Sequence, residues 1–145
     1  MSADRDTVPE LLETLRTTAR ADLRAAVALE LSDRGVRELF AVLVDLLRDE
    51  RTAASRGTLL YALAPYDCSA ILPLLVDLFV TGGFEVRREA FNRLRETDAE
   101  LSDAQWQELV DRLQAMQRYR DIGRARSTAT AWVARRQSLR PPVTR

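Results

Sequence analysis

The sequence has no histidine and no lysine; all 22 of its basic residues are arginine. Without histidine it lacks the commonest general base and the commonest metal ligand. Without lysine it has no Schiff-base amine and no P-loop cation. Arginine stays protonated at any ordinary pH, so it cannot serve as the base instead. There is one cysteine, Cys68. It cannot form an internal disulfide, which fits a reducing compartment. With no imidazole to activate it, it reads as packing rather than as a nucleophile. Glycine and aromatic residues are scarce while Ala, Leu, Arg and Glu abound, so the composition is that of an all-α chain.

The 145 residues suit one domain, 1–145, that folds without a metal, a disulfide or a cofactor. The polar opening Met1-Ser-Ala-Asp-Arg-Asp reads as neither a signal peptide nor a transit peptide, so a soluble cytoplasmic protein is expected. Formal net charge is zero but unevenly spread. Residues 1–111 hold 13 arginines against 21 carboxylates, a net −8, and residues 112–145 hold 9 arginines against one carboxylate, a net +8. Such an acidic body suits a basic partner, and such a basic end suits an acidic one.

Residues 57–83 are the least charged stretch, with only Asp67 and Asp77. This stretch belongs in the interior. The break at Pro65-Tyr66-Asp67-Cys68-Ser69 makes it helix, turn, helix, with neither half near the roughly 20 residues of a membrane span.

One acidic residue recurs in an apolar setting: Glu13, Asp45, Asp77 and Asp111, at steps of 32, 32 and 34. Pro9 and Pro73 each stand four residues before their acid. Arg24, Arg56 and Arg87 follow the first three acids by 11, 11 and 10. Apolar residues sit three and seven beyond each arginine: Val27 and Leu31, Leu59 and Leu63, Ala90 and Leu94. In the fourth copy Arg124 or Arg126 takes the arginine place. The period predicts four helix pairs stacked on a continuous core, in repeats of about 7–34, 36–64, 70–97 and 103–138 with a tail at 139–145. Thr7 with Glu10 and Ser102 with Gln105 read as capping boxes. The first pair breaks near Ala19–Asp22. Gly35, Pro65 and Gly82-Gly83 read as helix stops. The second pair is expected as a helix over Val36–Leu47, a turn over Asp49–Thr52 and a helix over Ala53–Ala64.

The pattern Leu72-Pro73-Leu74-Leu75-Val76-Asp77-Leu78, followed by Phe84-Glu85-Val86-Arg87-Arg88-Glu89-Ala90, resembles a HEAT repeat. The resemblance implies a right-handed α-α superhelix of the HEAT/armadillo type, with about four helix pairs. In that family an aspartate ends the first helix and an arginine opens the second. Residues 56–63, 66–69 and 84–86 also look like small bacterial HEAT-repeat proteins encoded beside polymorphic toxins. That likeness implies an immunity protein that binds and neutralises a cognate toxin domain.

Four carboxylates at one register on parallel helices lie too far apart to share a metal or a proton. They are expected to form a structural ladder instead, pairing with Arg24, Arg56 and Arg87 or capping the helices that follow. No catalytic residue and no metal ligand is expected. Second helices line the concave face of such solenoids, so Tyr61, Tyr66, Asp67, Arg88, Glu89, Asn92 and Arg93 are the candidate partner-binding residues. The competing reading makes Tyr61 and Phe84 core. The expected partner is another protein, such as a basic toxin domain, and not a membrane. The alternatives are nucleic acid, held by Arg118, Arg120, Arg124, Arg126, Arg135 and Arg136 with Tyr119 and Trp132 nearby, and a generic scaffold or assembly subunit.

Overall fold

The computed structural model describes residues 7–97 and 101–115, without the side chains of Leu113 and Ala115. Among them are seven α-helices, two short 3₁₀ helices and no strand. The chain divides at Asp67–Cys68 into two compact units, and the apolar stretch 57–83 is shared between them. The expected second helix of the fourth repeat, the expected tail at 139–145 and residues 1–6 lie outside the described residues.

In the first unit, α1 (Val8–Thr17) starts where Thr7 holds extended backbone and its Oγ1 accepts the Glu10 N–H at 3.3 Å. Pro9 falls in the first turn, where a missing N–H is tolerated. Residues 18–20 break the pair, and α2 (Ala21–Asp33) follows. It ends in a Schellman motif: Gly35 N–H donates to the Ser32 carbonyl and Val36 N–H to the Leu31 carbonyl, with Gly35 at φ 65°. Helix α3 is Leu39–Leu47, shorter than expected, because Val36 accepts from Leu39 N–H in a tight turn instead of an α-turn. A 3₁₀ helix (Glu50–Ser55) replaces the expected simple turn, so α4 begins only at Arg56 and ends at Ala62. The cause is local. Asp49 accepts the Arg51 N–H at 2.9 Å, and the Thr52 hydroxyl donates to the Leu46 and Asp49 carbonyls, which winds the chain tightly.

Helix α1 packs on α2 and α3, and α4 packs on α2 and α3. Leu15, Leu31, Leu39, Leu43, Leu47, Leu59, Leu60 and Leu63 are almost wholly buried between them. Each contributes roughly 1.5–3 kcal/mol by leaving water. Three long-range bonds between side chains and distant groups tie the unit: Ser32 Oγ donates to the Ala62 carbonyl at 2.8 Å, the Tyr66 hydroxyl donates to the Val36 carbonyl, and Arg24 donates to Ser55 Oγ at 2.9 Å.

In the second unit a 3₁₀ turn (Ser69–Ile71) leads into α5 (Leu72–Thr81), with Pro73 in its first turn. Gly82 ends α5 in extended backbone, at φ −77° and ψ 164°, and has no room for a side chain. A Cβ there would lie 2.5 Å from Val86 Cγ1 and 2.6 Å from the Leu78 carbonyl oxygen. Helix α6 (Phe84–Glu96) packs on α5, as does α7 (Asp103–Ala115). The capping box of α7 is reciprocal, with Ser102 N–H on Gln105 Oε1 at 2.8 Å and Gln105 N–H on Ser102 Oγ at 3.2 Å. Leu72, Leu75, Leu94 and Leu109 are its most buried leucines.

Candidate functional site

The recurring acids all stand on the helices that open their repeats: Glu13 on α1, Asp45 on α3, Asp77 on α5 and Asp111 on α7. Their expected arginine pairs do not form. Arg24 is 5% exposed and donates to Ser55 Oγ and to the Thr18 carbonyl, both at 2.9 Å. Arg56 donates through Nε to the Leu47 carbonyl at 3.2 Å and sits 3.5 Å from Glu50. Thr18 and Leu47 end the helices that precede those arginines. The guanidinium therefore satisfies orphan carbonyls at the negative end of a helix dipole, a demand that the acid's side chain does not meet. Arg87 forms no ion pair among the described residues.

The acids have separate fates. Glu13 makes a loose pair with Arg16 at 3.7 Å, Asp45 is exposed, and Asp111 accepts from Gln107 at 2.8 Å. Asp77 alone bonds across helices, to Arg112 of α7, with Glu108 3.6 Å from the same guanidinium. Burial pushes the Asp77 carboxyl above the usual aspartate range, against the pull of Arg112. Four residues past two of the acids, Thr17 and Thr81 donate to the acid's own backbone carbonyl at 2.8 and 2.7 Å. Extending the repeat alignment by one helical turn would have found them.

The candidate binding residues fall in both units. In the first, Tyr61 on α4 is 57% exposed, so it is not core. Tyr66 is half-buried against Phe40, ring centroids 6.1 Å apart. Burial, with the Glu38 carboxylate adding, raises its hydroxyl above the ordinary tyrosine value and keeps it a donor to Val36. Asp67 is exposed.

In the second, Phe84 is 77% exposed and Arg88 is exposed beside it, while Asn92 is half-buried. Glu89 and Arg93 are corrections to the expected surface: they are 7% and 5% exposed. Helical spacing turns positions 89 and 93 toward the flank shared with Ala90 and Leu94. Glu89 lies 3.4 Å from Arg88, and Arg93 donates to Glu96 at 3.2 Å. One Glu89 oxygen and two Arg93 nitrogens are buried without a hydrogen bond. The C-terminal arginines, with Tyr119 and Trp132, lie outside the described residues.

Two clefts among the described residues are lined by none of these candidate binding side chains. One of about 200 Å³ lies in the first unit among Arg16, Val42, Asp45, Leu46, Asp49 and Arg51. One of about 60 Å³ lies in the second, walled by Leu72, Pro73, Leu101 and Leu109. Both are smaller than the roughly 300–1,000 Å³ of small-molecule sites. Among the described residues no three or more of His, Cys, Asp and Glu gather as a metal site, and no helix is long and apolar enough to cross a membrane. Cys68 is buried and in no disulfide.

Compared with protein-family models, curated proteins and solved structures, the chain matches none.

Proposed function

We propose that the chain is a non-catalytic protein-binding module whose helix pairs stack as a right-handed HEAT-like superhelix of about four pairs. In its specific form it is a cytoplasmic immunity protein that binds a cognate bacterial toxin domain and occludes its active site. The observation that carries the binding reading is the pair of large aromatic side chains left in water on second helices, Tyr61 on α4 and Phe84 on α6. Tyrosine, and arginine such as the Arg88 beside Phe84, are the residues that most often anchor protein interfaces. The stacking reading is supported within the first unit, where α1 neighbours α3 and α2 neighbours α4. The acid register on α1, α3, α5 and α7 supports it too. The likeness of residues 56–63, 66–69 and 84–86 to immunity proteins supports the toxin as partner. The acidic excess over 1–111 suits a toxin that is basic, such as a nuclease.

The test is surface-plasmon kinetics against the protein encoded by the adjacent gene, at two salt concentrations. Tyr61→Ala is expected to lose about 2 kcal/mol of affinity, mainly through faster dissociation. Asp67→Arg is expected to slow association, most at low salt. Wild-type kinetics in both variants with unchanged circular dichroism would remove this surface from the account. Binding of DNA but not of the neighbouring protein would replace the module with a nucleic-acid binder.

A further inference from the structure

One exposed face of α6 carries two arginine–phenylalanine stacks in series. Phe84 and Phe91 are seven residues apart, as are Arg88 and Arg95, so all four side chains fall on one side of the helix. The Arg88 Cζ lies 6.0 Å from the Phe84 ring centroid, and the Arg95 Cζ lies 5.8 Å from that of Phe91. Asn92, between the stacks, accepts from Arg95 Nη2 at 3.2 Å. Phe91 is held from below by Phe79, ring centroids 5.5 Å apart, which anchors the stripe to α5.

A cation–π contact holds a guanidinium near the ring and leaves its N–H donors able to bond elsewhere. Those donors have little acidic company. Arg95 forms no ion pair among the described residues, and Arg88 meets only the carboxylate of Glu89 at 3.4 Å. Among the described residues the stripe therefore holds one bare apolar ring and two cations with little acidic company. The cations are seven helical residues apart, about 10 Å along the axis.

We propose that this stripe docks an acidic amphipathic helix of a partner protein. Its apolar residue covers Phe84, and two carboxylates, two helical turns apart, take bidentate bonds from Arg88 and Arg95. This deepens, and rests on, the reading of the chain as a protein-binding module. A toxin domain that is basic overall meets the requirement by presenting one such helix. Spacing favours a helical peptide here, because carboxylates seven residues apart on one helix repeat the separation of Arg88 and Arg95.

The test uses the full chain, isotope-labelled for NMR, and a synthetic helical peptide bearing two glutamates seven residues apart with leucines between them. A peptide with lysines in place of the glutamates and a single-stranded DNA of equal charge are the controls. The acidic peptide is expected to shift the α6 amides from Phe84 to Arg95. Arg95→Glu and Phe84→Ala are each expected to weaken it about tenfold, and raised salt to weaken the first interaction more than the second. Arg95→Gln, which removes the charge without reversing it and matches Glu in length, is expected to fall between wild type and Arg95→Glu. Equal binding of the lysine peptide, tighter binding of the DNA, or no shift on α6 would overturn the proposal. If the stripe fails while Tyr61-dependent binding of the neighbouring protein persists, the stripe alone falls. If both fail, the binding module falls with it.

Discussion

The two units use the same repeat register differently. In the first, Arg24 and Arg56 each reach back to the carbonyl that ends the preceding helix, and their acids, Glu13 and Asp45, stay near water. In the second, Arg87 makes no ion pair among the described residues, and the acid Asp77 is half-buried against Arg112 of α7. The same spacing thus produces a helix C-cap in one place and an interhelical ion pair in another. What the repeat carries forward is the position of a charge near a helix end. Which group that charge meets depends on which neighbour happens to be within reach.

The largest expected break in this comparison is at the arginines. Arg24→Met should cost about 2–3 kcal/mol, because it strips the Ser55 hydroxyl and the Thr18 carbonyl of a buried, charged donor. Arg56→Met should cost about 1 kcal/mol, its side chain being 20% exposed and its bonds longer. Arg87→Met should stay within about 0.5 kcal/mol. Urea unfolding of the three variants orders them, and equal losses would mean that the second unit uses its arginine as the first does.

Next are the glycines that stop helices. Gly82→Ala should cost about 1–3 kcal/mol, because the new methyl meets Val86 and a backbone carbonyl that cannot yield. Gly35→Ala should cost about 1 kcal/mol through its positive φ alone, since nothing crowds that site. Gly83→Ala, with open space and φ −73°, is the control and should be near neutral. Thermal unfolding separates the three. A harmless Gly82→Ala would mean that α6 can shift away from α5.

The acids give a smaller contrast. Asp77→Ala should cost about 1 kcal/mol, since its partner Arg112 is partly solvated, and Asp45→Ala should change stability by less than about 0.5 kcal/mol. Equal effects, read from denaturant midpoints, would restore the acids as equivalent rungs of a ladder.

The smallest effect is one of sign, in carboxyl titrations followed by NMR. Asp22 and Asp49, held by Arg20 and Arg51, should titrate below the ordinary aspartate value. The stability they contribute is present above that value and is lost as pH falls through their lowered ones. Asp77 should titrate above the ordinary value because burial penalises its charge. The native state then holds a proton that the unfolded chain has released, so this group's effect on stability weakens as pH rises between the two values. Asp77→Asn should flatten that part of the pH profile. An Asp77 that titrates below Asp49 would mean that Arg112 outweighs burial.

Local chemistry accounts for what was legible beforehand. Thr7, Gly35, Pro65, Gly82 and the Ser102–Gln105 box act on their own few residues, so the helix ends could be read without knowing any neighbour. The helical class and the placement of the acids on opening helices followed from composition and period. The 3₁₀ helix over Glu50–Ser55 was missed because two side-chain bonds, from Asp49 and Thr52, compete locally with the α-turn. Glu89 and Arg93 were misplaced because a charge ordinarily marks the wet side of a helix, and here packing outweighed that preference. The Phe84–Arg88 and Phe91–Arg95 stripe, two Phe-x-x-x-Arg pairs seven residues apart, was not read from the sequence. Nothing in the spacing showed that its first ring would stay in water while Phe91 leaned on Phe79.

By itself the sequence determined that the chain is helical, where most of its helices begin and end, and that histidine or lysine chemistry is excluded. Capping, turn propensity and side-chain pKa range are properties of residues and their near neighbours. Tertiary structure alone decided the partners of the charges: Arg24 with the end of α1, Asp77 with α7, Glu89 and Arg93 within the interior, and Tyr61 and Phe84 outside. A guanidinium bonds whatever acceptor lies within about 3 Å, and that distance is set by how helices far apart in sequence come to rest on one another.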